Sequence, residues 1–414
     1  MNIRTVFRLA PLSLLVVCFR GSADAQTLVG FAKLAADTFA PGPTSGQLIA
    51  PANGRIPPFV DKQPIQGFSN VLRAANGDFL AMPDNGYGAK ENSSDYVLRV
   101  YRIAPDFRTT TGGSGSIAVK SFITLRDPDH KIDFTIVADQ ATYPGSAIPV
   151  DAAIRDNRWL TGGDFDIESL REAHDGTLWF GDEFGPFLIH TDATGRVLEA
   201  PYPLPGVQSP QNPFLGGGQP NLPRSKGFEG MAISQDGQRL YPMLEGPLTT
   251  DSDQRRLIIN EFDIRGREYT GRQWFYRLEQ PTSTGQSIGD FNAVSDGLYI
   301  VIERDNFEGP AALFKKLYAV SLDVTDADGF LAKQEIGDLL HISDPGNLAG
   351  FGNVFRFSFQ TIESVIPLSQ NELGVLNDNN YPFSAGRVAG QPDPDEFIVI
   401  RLDRPLVQYG KLLR

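Results

Sequence analysis

The chain has 414 residues, with 37 Lys and Arg against 50 Asp and Glu, a formal net charge of −13 at pH 7, 42 Gly, 30 Pro, four His and one Cys. That acidic balance argues against a nucleic-acid backbone as partner, and a lone Cys18 excludes an internal disulfide framework and cysteine-rich zinc sites. The excess acid is a solvated surface or, in part, a store of metal ligands.

Residues 1–25 read as a secretory signal peptide. Arg4 and Arg8 precede an apolar stretch over 9–19 that is too short to span a bilayer, and Ala23-Asp24-Ala25 is an A-x-A cleavage site. Cleavage there removes Cys18 and exports residues 26–414 as a single domain, secreted or periplasmic, with no further hydrophobic span.

The rest of the chain repeats a hairpin whose ends carry acids or amides. The first copy, 67–88, turns at Asn76-Gly77, starts with Ser69 and Asn70, and ends in Asp84-Asn85-Gly86. The second, 165–187, is the plainest: FDIESLREAHDGTLWFGDEFGPF turns at Asp175-Gly176, with Glu168 seven residues before Asp175 and Asp182 seven after, then Glu183. An antiparallel pair hinged there would set Glu168 opposite Asp182 at its open end. The third copy places Glu229 before the Asp236-Gly237 turn and Glu245 after it, with Lys226 just upstream. The fourth turns at Asp296-Gly297, begins with Asp290 and ends in Glu303-Arg304-Asp305-Asn306. The fifth folds back around Gln370 and sets Glu363 opposite Asn377, with Asp378, Asn379 and Asn380 trailing.

Further strand-like runs lie at 96–103, 257–264, 317–322 and 397–402, while helical periodicity is nearly absent. Four-stranded units closing into a ring leave no exposed sheet edge, so the expected fold is an all-β propeller. Six blades are expected, the sixth built from 121–125 and 134–138, or seven if 27–59 contributes strands. Stretches 40–58 and 200–223, rich in Pro and Gly, read as long loops on one face.

If each hairpin is the inner pair of a blade, its acidic end lies at one rim of the central channel. Glu168, Glu229 and Glu363 are the most telling residues, because Glu is depleted in strands and lacks the turn role of Asp. With Asn85, Asn377 and Asp378 they form a set of oxygen ligands suited to Ca²⁺, or less well to Mg²⁺. Asp182 and Glu183 are the expected general bases. Arg304 either pairs with an acid or presents its fork to an anionic substrate, and Lys226 has the same two options. No G-x-S-x-G elbow, H-E-x-x-H helix, P-loop or dinucleotide fingerprint is present.

These same residues resemble the esterase-like phytase family, in MPDNGYG (82–88), GGDFDIESL (162–170), GDEFGPFLIHTDATGRVL (181–198), GFEGMAIS (227–234), VIERDNFEGP (301–310) and NDNNYPF (377–383). The resemblance implies an exported propeller hydrolase of phosphate esters or phosphodiesters, with activity carried by Glu168, Asp182, Glu183, Glu229, Glu303, Arg304, Asp305 and Asp378. The expected partner is a small phosphoester, taken up by a monomer. The alternatives are a propeller lactonase or carboxyl esterase on the same metal platform, and a non-catalytic extracellular module whose acids hold a structural ion or a ligand.

Overall fold

Each hairpin named above does form, and each supplies the inner two strands of a four-stranded antiparallel blade. A computed structural model describes residues 26–295 and 297–413; the expected signal peptide and Asp296 lie outside them. Blade 1 comprises Asn70–Arg73, Phe79–Met82, Arg99–Asp106 and Ser116–Thr124. Blade 2 comprises Ile167–Glu172, Leu178–Asp182, Phe187–Thr191 and Tyr202–Pro203. Blade 3 runs Phe228–Ile233, Arg239–Leu244, Arg256–Asp263 and Glu268–Arg277, and blade 4 runs Gln286–Ser295, Leu298–Asp305, Lys315–Thr325 and Leu331–Asp338. Blade 5 takes Thr361–Pro367, Glu372–Asp378 and Asp395–Arg401 from the end of the chain, and Thr27–Leu34 from its start.

The inner strands lie side by side in the order 1, 2, 3, 4, 5 and back to 1, so the described residues form a closed propeller of five blades. The all-β propeller stands, but the count of six does not. Residues 121–124 belong to the outer strand of blade 1; 134–136 are irregular and 137–138 open a 3₁₀ turn, Val137–Asp139. Within 27–59 the long strand adds no blade; it closes the fifth, through a register running from Thr27 opposite Arg401 to Leu34 opposite Asp395. Ring closure thus ties the two ends of the described chain together by backbone hydrogen bonds.

Alternation explains why these strands stack. Val100 and Met82 of blade 1 meet Leu170, Phe180 and Ile189 of blade 2. Trp179 and Leu188 of blade 2 meet Met231, Leu240 and Ile258 of blade 3. Equivalent clusters fill the spaces between blades 3 and 4, 4 and 5, and 5 and 1. Each fully buried aliphatic or aromatic side chain contributes about 2 kcal/mol, so the apolar cores lie between the blades and the axial channel is left for polar residues. The tight turns at Gly176 and Gly237 have φ of +80° and +62°, conformations that glycine supplies at low cost.

One irregularity recurs. The ladder between the inner two strands slips between Ile167 and Ser169, Phe228 and Gly230, Ile288 and Asp290, and Ile362 and Ser364. The skipped residues are Glu168, Glu229, Gly289 and Glu363, each the extra residue of a β-bulge, a device that re-aims one side chain out of the normal alternation. The expected register is therefore off by one: Ile167, not Glu168, pairs with Asp182, and Ile362, not Glu363, pairs with Asn377. At Gly289 a Cβ would lie 2.0 Å from the carbonyl oxygen of Ile362, so blade 4 has no room for a side chain at this position. Gly289→Ala is expected to lower stability by about 3 kcal/mol through this overpacking, measured by urea denaturation; a loss below about 0.5 kcal/mol, the ordinary range of a surface substitution, would contradict the bulge geometry.

Candidate metal centre

The bulges and the ends of the second strands meet at one mouth of the channel. From the bulges come Glu168, Glu229 and Glu363; from the second strands and the residues just after them come Asp84, Glu183, Glu245, Arg304 and Asp378, all buried. Two triads have carboxylate oxygens within 4.8 Å of one another: Asp84, Asp166 and Glu168, and Glu168, Glu183 and Glu229. The Oε2 of Glu168 and the Oε1 of Glu183 are buried and have no hydrogen-bond partner. An ionised oxygen in that state costs several kcal/mol without a proton or a cation beside it.

Arg304 balances one side of this cluster. Its guanidinium donates to Glu363 Oε1 at 2.8 Å and Glu229 Oε1 at 3.4 Å and lies 3.8 Å from Glu245 Oε1. Gly289 belongs to the same blade and leaves its bulge without a side chain, while Arg304, on the neighbouring strand, brings a cation to the ring. Burial alone would lower the pKa of Arg304, but Glu363, Glu229 and Glu245 outweigh it and raise it. Lys226 pairs with Glu245, and its side chain keeps 30 % exposure at the mouth.

The charges therefore divide. Burial raises the pKa of Glu245, but Lys226 and Arg304 outweigh it and hold the carboxyl below its ordinary value. Burial, with neighbouring carboxylates, pushes Glu168, Glu183, Glu229 and Asp378 well above theirs. Asp84 and Asp166 are pushed up to about 7, first by burial; in Asp84 the Asp166 charge adds to it. Glu363 reaches about 7 through burial, against the opposing pull of Arg304.

The other expected site residues are used elsewhere. The amide oxygen of Asn85 already accepts from Tyr87 N, Gly88 N and Ser93 Oγ, at 3.1, 2.7 and 3.0 Å. Asn377 spends both ends of its amide on blade 5, on Glu396 N at 2.7 Å and Pro394 O at 3.1 Å. Both oxygens of Asp182 are held by backbone amides, Oδ1 by Asp166 N at 2.9 Å and Oδ2 by Gly185 N at 2.7 Å. Strand alternation turns Glu303 and Asp305 away from the face that Arg304 occupies. Glu303 binds Tyr276 Oη and Lys333 Nζ, at 2.7 and 2.9 Å. Asp305 caps Leu313 N and Phe314 N, at 2.7 and 2.8 Å, and pairs with Lys315. Asp166, absent from the sequence-based set, lies two residues before Glu168 in FDIES, a spacing that alternation alone would place on one face.

Residues 63–381 match the family model described as phytase-like, esterase-like activity of phytase. The chain belongs to the phytase-like family. An uncharacterised secreted protein of Arthroderma benhamiae is 24 % identical over 327 residues, and the match spans 62 % of each chain, so this chain covers less than two thirds of that relative's length. Among solved structures, a GH43 endo-arabinanase from Bacillus licheniformis is similar at 11 % identity, over 87 % of this chain and 96 % of that one, with a TM-score of 0.37. Virginiamycin B lyase from Staphylococcus aureus is similar at 12 % identity, over 81 % and 95 %, with a TM-score of 0.33. Every phytase-like motif read in the sequence except the tail of NDNNYPF falls inside the matched range. Among the described residues no helix is long and apolar enough to cross a membrane.

Two outcomes are expected of this cluster. Arg304→Met leaves Glu229, Glu245 and Glu363 buried without their shared cation, and should cost about 3–5 kcal/mol in chelator-treated protein; urea unfolding that moves by less than about 1 kcal/mol would contradict the pairing. Asp84, Asp166 and Glu363 have folded pKa values raised to about 7. Their contribution to stability is full below the ordinary carboxyl pKa and is lost as pH rises through about 7. A cation that replaces those protons should raise the melting temperature more at pH 8 than at pH 5, and an equal Ca²⁺-induced rise at the two pH values would contradict this.

Proposed function

We propose that the protein is an exported hydrolase of phosphate esters or phosphodiesters, working with Ca²⁺ held by Glu168, Glu183 and Glu229 at the channel mouth. The observation that carries this reading is the buried triad with two unpartnered carboxylate oxygens, Glu168 Oε2 and Glu183 Oε1. An all-oxygen, strongly anionic donor set fits a hard cation such as Ca²⁺. Family membership, the secreted relative and the A-x-A site at 23–25 support the rest.

When bound, the cation supplies Lewis-acid polarisation of an ester oxygen and attracts an anionic substrate that the net acidic chain would otherwise repel. The protein's own residues divide the remaining work. Glu183, whose Oε1 is assigned to the cation, would take a proton through its other carboxylate oxygen. Lys226, half exposed beside Glu245, meets the incoming anion. Arg304 acts as a positioning residue, because its Nη2 holds Glu363 and Glu229 in the ring while Nη1 donates to Asn306. Asp182 fixes the turn that presents Glu183, through its bonds to Asp166 N and Gly185 N.

One observation favours a second reading, a carboxyl esterase or lactonase on the same platform. The Nη2 of Arg304 is held by Glu229 and Glu363 and the residue is buried, so the cation with exposure beside this ring is Lys226, 30 % exposed and itself paired with Glu245, a sparse provision for a phosphate. Turnover of phosphomonoester, phosphodiester, carboxyl-ester and lactone panels by chelator-stripped protein, with and without Ca²⁺, decides between them. Ca²⁺-dependent hydrolysis of phosphoesters is expected, with Glu183→Gln reducing kcat by about 10²–10⁴-fold. Turnover confined to carboxyl esters or lactones would replace the first reading with the second, and no turnover with any metal would defeat both.

A further inference from the structure

Glu168 belongs to both acidic triads, and the two are unequally served by the protein's own cations. Glu229 in one triad is reached by Arg304, and its neighbour Glu245 is paired with Lys226. In the other triad, Asp84 and Asp166 have no salt bridge to Arg or Lys among the described residues; each accepts neutral amide bonds, Asp84 from Gly86 N at 2.8 Å and Asp166 from Asn85 Nδ2 at 2.7 Å. Gln66 Nε2 also donates to Asp84 Oδ1 at 2.8 Å, and the Oε1 of the same amide is buried and unpartnered. Gln66 is 1 % exposed, so that oxygen cannot be satisfied by bulk water. Each triad thus carries its own buried, unpartnered oxygen, Glu183 Oε1 in one and Gln66 Oε1 beside the other, and Glu168 Oε2 lies in the residue they share.

We propose that the centre holds two divalent cations bridged by Glu168, the second seated on Asp84, Asp166 and the amide oxygen of Gln66. This deepens the metal-assisted reading above and rests on it. Carboxylates with a neutral amide oxygen form the donor set of a hard cation of the Ca²⁺ class. A carboxylate shared by two ions is the arrangement of paired sites with ions about 4 Å apart, which clamp two oxygens of a phosphoryl group. The pair therefore favours phosphoesters over carboxyl esters as substrates, and it places Asp166 and Gln66 in a centre that the Glu-bearing hairpins alone do not define.

Calorimetric titration of the chelator-stripped full chain with Ca²⁺ tests the pair. Two ions per chain are expected, falling to one in Asp166→Asn. A stoichiometry of one in the unaltered chain overturns the pair and leaves the first site standing, and no binding at all removes both. Two ions retained in Asp166→Asn would also overturn the assigned seat. Because a change at a buried carboxylate can cost the fold, electron paramagnetic resonance of the unaltered chain loaded with Mn²⁺ gives a readout that needs no variant. A spin-coupled spectrum at saturation is expected, and a spectrum of isolated ions only would overturn the proposal.

Discussion

The structure depends on how a ring of buried carboxylates is neutralised at one end of the channel. Hydrophobic burial between blades is ample and ordinary, but it cannot offset several unpaired charges at the axis, each costing several kcal/mol. The chain meets part of this demand with Arg304, set among Glu229, Glu245 and Glu363, and with Lys226 on Glu245. It leaves the Glu168 side short of positive charge, so protons or cations must supply the remainder. That asymmetry gives the ring a direction, with an internally paired half near blade 4 and an ion-demanding half near blades 1 and 2.

The bulges make this arrangement possible. A regular inner strand would point alternate residues at its two neighbouring blades, where Glu cannot be tolerated. The extra residue at Glu168, Glu229 and Glu363 turns the carboxylate out of that alternation and toward the channel end, while Ile167, Phe228 and Ile362 keep their places in the ladder. At Gly289 the same device appears with the side chain removed, because the neighbouring carbonyl of Ile362 occupies the space. One backbone irregularity used four times thus separates the apolar work of the strands from their chemical work.

Much of this was legible in the sequence, for identifiable reasons. Asn-Gly and Asp-Gly turns between strand-like runs exposed the hairpins, and Glu at strand starts pointed to the axis, because neither pattern needs long-range information. The register was off by one since a bulge has no sequence signature apart from the residue it displays. The blade count was too high because nothing local distinguishes Thr27–Leu34 as the closing strand of the last blade, and the stretch expected to form a sixth blade splits between the edge of blade 1 and a loop. Asn85 and Asn377 have the right chemistry for ligands but their amide oxygens already accept from nearby backbone N–H groups, a choice that only the folded loop reveals. Asp166 was legible in principle, two residues before Glu168 in FDIES, and the two acids meet in one cluster with Asp84.

Whether cations complete the ring is read from the anomalous signal of crystals grown with Mn²⁺, a hard cation that takes the oxygen ligands of Ca²⁺ and Mg²⁺ sites. A peak is expected within coordination distance of Glu168, Glu183 and Glu229, with Arg304 still on Glu363. A fully loaded crystal with no peak among these residues, and the carboxylates in unchanged positions, would contradict it.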